Sequence, residues 1–224
     1  MQTNKLPNIP PENQSTTDFF DWLYSLLLML PVLGEIVLIV NAYVFDGDLQ
    51  SGSKLAPASS WIRKLWGNVV VTAALAFFST PYLWVGSLTT YVPAFLLADH
   101  RPIPGNLIIS IFPSLLGFGI GVYALIFGLS SILIKGLQEH MVGNSKIVDQ
   151  RGSALILNAD MAYPLLILTL TLFVGVLQQI YPSSHKFEIA AWFALWYSLL
   201  MVIEILSVLF NLGEFELLNK LKSK

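Results

Sequence analysis

Residues 160–212 read DMAYPLLILTLTLFVGVLQQIYPSSHKFEIAAWFALWYSLLMVIEILSVLFNL. No residue between Met161 and Tyr181 is charged, and after the link Pro182–His185 a second apolar block runs from Phe187 to Leu212. A helix rising ~1.5 Å per residue needs ~20 apolar residues to cross ~30 Å of hydrocarbon, and both blocks reach that length. So short a link makes the two an antiparallel hairpin of membrane-spanning length.

The rest of the chain repeats the pattern. Of 224 residues, 55% are hydrophobic and 12% charged, with a mean hydropathy of +0.67; a soluble domain carries roughly a quarter charged residues. A water-soluble fold is thereby excluded. The apolar blocks predict an all-α integral membrane protein with about five spans, near 19–45, 67–88, 106–135, 160–181 and 187–212. Residues 1–18, rich in Asn, Pro, Ser and Thr, read as a disordered tail, and 213–224 as a basic one. The apolar stretch after the tail lacks a small-residue cleavage site and reads as a true span rather than a secretory signal. The second block contains Pro81 and Pro93, each of which kinks or ends a helix. A span to about Leu88 followed by a re-entrant stretch near 91–98 is expected there.

Lys and Arg set the direction, because cytoplasmic loops retain positive charge. Lys54, Arg63 and Lys64, then Lys135, Lys146 and Arg151, then Lys220, Lys222 and Lys224 alternate with segments holding one each, Lys5, Arg101 and Lys186. Nine against three, alternating at every crossing, predicts an N-terminus outside the cytoplasm and a C-terminus within it, as in a multi-pass protein of a bacterial inner membrane. Trp22, Tyr24, Trp61, Trp66, Tyr82, Trp84, Tyr181 and Trp192 bracket the expected spans as interfacial anchors.

The third span carries the clearest helical pattern. Ser110, Ser114, Gly117, Gly121, Ala124, Gly128, Ser131 and Lys135 recur at steps of three and four and fall on one face. Such a stripe lets another backbone approach closely, within the chain or in a partner; packing within the chain is the first expectation. Glu35 and Glu204 interrupt apolar runs, where charge costs at least ~2.5 kcal/mol. Both fall in the half of the membrane nearer the cytoplasm, on helices of the same direction. They are expected at similar depth, where they could meet, share a proton or bind a cation, or else merely fix packing. Asn41 and Lys135 complete this expected intramembrane polar site, and Asn158 and Asp160 lie on the same side.

Other chemistry is sparse. Asp46 and Asp48 around Gly47 could hold a divalent cation with a phosphorylated substrate, but a turn explains the same residues better. His100, His140 and His185 lie outside the expected spans, which argues against intramembrane haem ligation. With no cysteine, thiolate metal sites and disulfides are excluded. No nucleophile elbow, HExxH, P-loop or dinucleotide fingerprint is present, and no catalytic residue, cofactor or metal is expected. A net charge of −2 without a basic aromatic run argues against nucleic acid. Besides the bilayer, the expected partner is a membrane protein or a second copy of the chain. The leading expectation is a non-enzymatic protein acting by helix–helix binding, as assembly subunits and immunity or exclusion proteins do. A proton, cation or small-solute conductor using Glu35 and Glu204 is the alternative, and an enzyme acting on a lipid-linked substrate near Asp46 and Asp48 a third.

Overall fold

The computed structural model describes residues 22–80, 102–128 and 153–222, and every regular element among them is helical. Helix α1 covers 22–28 and α2 Leu33–Val44; a 3-10 turn at Leu49–Gly52 leads to α3, Ala58–Ser79. Then come α4 (Pro104–Phe127), α5 (Ser153–Ile180) and α6 (His185–Lys222). The segments 104–126, 155–180 and 185–214 are long and apolar enough to cross a membrane. The re-entrant stretch near 91–98, the N-terminal tail 1–18, Ser131 and Lys135 lie outside the described residues.

The first apolar block is not one helix. Pro31 cannot continue α1, and Val32 takes a left-handed backbone (φ 67°) that turns the chain before α2 begins. Gly34 then lies so close to the Leu28 carbonyl that a Cβ would sit 2.7 Å from its oxygen. Twelve residues of α2 span only ~18 Å, so neither piece crosses hydrocarbon alone. Three other bounds also differ from expectation. Helix α3 begins at Ala58 rather than near Gly67, so Trp61, Arg63 and Lys64 are helical. Helix α5 starts at Ser153, seven residues ahead of Asp160, and α6 continues to Lys222 through the expected tail.

Side-chain pairs fix the helix directions. Gly105 at the start of α4 donates its N–H to Gln178 near the end of α5, while Tyr123 near the end of α4 donates to Asn158 near the start of α5 (2.7 Å). These two helices are therefore antiparallel. Asn68 of α3 reaches Glu204 of α6 (2.9 Å), and Trp196 of α6 donates to Ser79 of α3 (2.8 Å), so these too are antiparallel. Tyr43 stacks on Tyr163, and Gly47 abuts Ile156, so the chain leaving α2 runs against α5. Helices α2, α4 and α6 thus share one direction, opposite to α3 and α5.

Two apolar cores result. Ile108 and Phe112 of α4, Met161 and Leu168 of α5, and Leu195 and Ile205 of α6 form one. Tyr43, Val44, Ala56, Tyr163, Tyr197 and Met201 form the other, between α2, α5 and α6. The outside is apolar as well: Trp66 (64% exposed), Phe78 (70%), Phe173 (62%) and Phe210 (70%) point outward, while Lys64 and Asp160 turn toward each other. Apolar groups outside and paired charges within are the arrangement a lipid solvent favours.

Candidate functional site

The most polar part of the interior lies at the end of the bundle that holds Lys64, where four helices converge. On α3, Lys64, Asn68 and Thr72 are spaced four apart and share one face. On α5, Asp160 and Tyr163 are one turn apart, and on α6 Tyr197, Met201 and Glu204 lie on one face over two turns. Helix α2 contributes Tyr43, and the turn after it Asp46.

Each polar group there but the buried Thr72 hydroxyl has a partner among the described residues. The Lys64 ammonium lies 2.7 Å from an Asp46 carboxylate oxygen, 3.8 Å from one of Asp160, and 4.6 Å above the Tyr43 ring. Tyr43 Oη donates to Glu204 Oε2 at 2.9 Å, and Asn68 Nδ2 to Glu204 Oε1 at 2.9 Å. The Tyr43 ring stacks on Tyr163 with centroids 4.0 Å apart, and the Tyr163 and Tyr197 hydroxyls are 2.7 Å apart. About two turns beyond Tyr163 on α5, Thr171 shares a hydrogen bond with Ser198, the neighbour of Tyr197 on α6. Replacing Lys64 by methionine leaves Asp46 and Asp160 facing each other without the ammonium; with side chains about 30% exposed, the expected loss is about 1–3 kcal/mol. A melting temperature unchanged in detergent would refute the clamp.

Glu35 is not part of this cluster. It is exposed in the first turn of α2, and Tyr43, which reaches Glu204, is eight residues further on, or ~12 Å along the axis. Its depth therefore differs from that of Glu204, where a similar depth was expected. The broken first block is the reason: with α2 starting only at Leu33, Glu35 stands at its entrance instead of in mid-span.

Asn41 has a different role from the one expected. Completely buried, it donates to the carbonyls of Ser51 (2.7 Å) and Lys54 (2.8 Å) and to Tyr24 Oη (3.1 Å), and accepts from Ala56 N (2.8 Å). It ties α1 and the loop 48–56 to α2. Asp48 accepts from Gln50 N and caps the 3-10 turn, while Asp46 is held by Lys64, so the two carboxylates serve a turn and an ion pair. Asn158 accepts from Tyr123 across the α4–α5 contact.

The small-residue stripe of α4 faces outward. Ser110, Ser114, Gly117, Gly121, Ala124 and Gly128 are all exposed, and a Cβ added at Gly117 or Gly121 would meet nothing within 4 Å. The helix packs on α5 with its opposite side, through Ile108, Phe112 and Ile126, and through Gly119 against Leu165. Phe118 and Leu125 flank the stripe on one side and Ile120 on the other, all exposed, giving a shallow groove floored by small residues. The first expectation, packing within the chain, does not describe these six positions among the described residues.

Sequence reasoning missed Tyr43, Lys64, Asn68, Tyr163 and Tyr197. The four-residue spacing of Lys64, Asn68 and Thr72 was the available signal. It becomes visible only once α3 is known to begin before Lys64. Comparison of the chain with protein-family models, curated proteins and solved structures returns no match.

Proposed function

We propose that this chain is a non-enzymatic membrane protein that acts by binding another membrane protein through the small-residue face of α4. The observation that carries the reading is the exposure of Ser110, Ser114, Gly117, Gly121, Ala124 and Gly128 along one uninterrupted face. In lipid, helices associate by close backbone approach and van der Waals contact, and small residues at these spacings permit it. Five crossings of a bacterial inner membrane, with the C-terminus in the cytoplasm, complete the proposal. The alternation of Lys and Arg supports this topology, as do the alternating directions of α3 to α6. The conductor reading keeps Glu204 but loses Glu35 as its companion.

The test uses the lack of cysteine. A single Ser114→Cys placed in the stripe is the chain's one thiol and should cross-link to the partner in membranes. Gly117→Leu and Gly121→Leu fill open space, so each should leave the melting temperature within about 1 °C while reducing the cross-link at least tenfold; a tenfold loss corresponds to ~1.4 kcal/mol of association. A complex that survives both leucines, or an intact chain that shows no cross-link and purifies alone from mild detergent, would remove the proposal.

A further inference from the structure

The first apolar block folds back on itself. Tyr24 near the start of α1 and Asn41 in the last turn of α2 lie 17 positions apart, which one continuous helix would separate by ~25 Å. Instead the Asn41 amide donates to the Tyr24 hydroxyl at 3.1 Å, and that hydroxyl donates to the Ser51 carbonyl, beyond the end of α2, at 2.7 Å. At the far end the chain reverses within residues 29–33, and Gly34 presses on the Leu28 backbone. Helices α1 and α2 are therefore the two arms of a hairpin, and the chain enters α1 at the end of the bundle where Asp46 meets Lys64. The last part of α6 emerges at that same end, since Glu204 lies beside Asn68 while Trp196 lies beside Ser79, further from Lys64.

The turn is built for hydrocarbon. Leu26, Met29, Leu30, Val32 and Leu33 are all exposed around it, Met29 at 78% and Val32 at 72%. Helix α2 packs through Ile39 and Val40 in the cluster that holds Tyr163 and Ile167 of α5, within the segment 155–180 that is long and apolar enough to cross a membrane. The turn thus lies at hydrocarbon depth, but the ~18 Å of α2 reach little more than half of a ~30 Å core. Irregular backbone at that depth has to satisfy its own polar groups. Here the N–H groups of Met29, Leu30, Leu33, Gly34 and Ile36 bond to carbonyls within residues 26–32, and Pro31 has no N–H to satisfy. Glu35, the one charged residue between Trp22 and Phe45, is exposed beside the turn, and its cost in hydrocarbon opposes deeper entry.

We propose that α1 and α2 form a re-entrant hairpin, which enters the leaflet on the Lys64 side, ends among its acyl chains and leaves on the same side, so that residues 1–21 share a compartment with the C-terminus. The distribution of Lys and Arg favours this arrangement. With α3 to α6 as the four crossings, Lys5 joins the nine basic residues of the Lys64 side, and of the twelve in the chain only Arg101 and Lys186 remain opposite. The α4 partner face and the cytoplasmic C-terminus stand unchanged, and the first of the five crossings becomes a hairpin confined to one leaflet.

Single cysteines in the cysteine-free, full-length chain test both halves of the proposal. In inverted membrane vesicles a membrane-impermeant maleimide should label Ser15→Cys and Ser223→Cys at least tenfold more than in right-side-out vesicles. Ser183→Cys, in the link between α5 and α6, should show the opposite preference. A Ser15→Cys that labels like Ser183→Cys restores five crossings and overturns the hairpin, as does one labelled from neither side. A nitroxide on Met29→Cys, in vesicles of phosphatidylcholine and phosphatidylglycerol, should relax faster with oxygen and be untouched by a water-soluble nickel complex. Relaxation by the nickel complex would place the turn in water, and protection from both agents would place it against protein; either result overturns the lipid contact. Neither readout involves α4, so the partner-binding reading stands or falls separately.

Discussion

Gly47→Ala is expected to destabilise the protein by about 3 kcal/mol or more, lowering the melting temperature by about 6–12 °C for a chain of this size. Two costs combine at this residue. Its backbone is left-handed (φ +69°), a conformation that glycine adopts freely and an L side chain resists by about 1–2 kcal/mol. A Cβ there would also sit 2.4 Å from Ile156 N and 2.6 Å from Ile156 Cα. These are backbone atoms of α5, which cannot yield as a flexible side chain would. The loop would have to withdraw, and Asp46 with it, loosening its grip on Lys64. Gly52→Ala is the control, because nothing lies within 4 Å of a Cβ there and its backbone is ordinary; thermal melts in detergent compare the two. Equal melting temperatures would show that the turn does not press on α5.

Asn41→Leu is expected to cost about 3 kcal/mol. The leucine is close in size but strips partners from Ala56 N and the Lys54 carbonyl, and a buried polar group left unpaired costs about 1–3 kcal/mol. The Ser51 carbonyl would keep the Tyr24 hydroxyl, at 2.7 Å. Tyr24→Phe should therefore be milder, since Asn41 still serves Ser51. Asn41→Asp retains the acceptor for Ala56 but loses the donors and adds a charge at a completely buried position, so it should fare no better than leucine. Limited proteolysis provides a second measure: residues 48–56 should become cleavable in Asn41→Leu and stay protected in Tyr24→Phe. Protection retained in Asn41→Leu would show that the loop is held by something other than this amide.

These variants illustrate how the site is made. Asn41 and Glu204 drew notice because polar residues inside apolar runs are costly, and cost implies a partner. What the partner would be was beyond one-dimensional reading. Asn41 serves a loop that follows it in the chain, whereas Glu204 meets residues 161 and 136 positions away in sequence. Tyr43, Asn68 and Tyr163 carry no signal of their own, since a tyrosine or asparagine near a helix end is ordinary at a membrane interface.

Apolar length and composition determined by themselves that this is a helical membrane protein, because hydrocarbon thickness imposes a minimum run of apolar residues whatever the packing. The hairpin of α5 and α6 was equally local, forced by the brevity of Pro182–His185. Tertiary structure alone decided three other matters. It broke the first apolar block at Pro31 and Val32 and so removed Glu35 from the depth of Glu204. It extended α3 back to Ala58 and so brought Lys64 and Asn68 into the interior. And it turned the small-residue stripe of α4 outward, because Ile108, Phe112 and Gly119 made the better surface for α5. Periodicity identifies a face, but which neighbour covers it depends on the competing packing of every other helix.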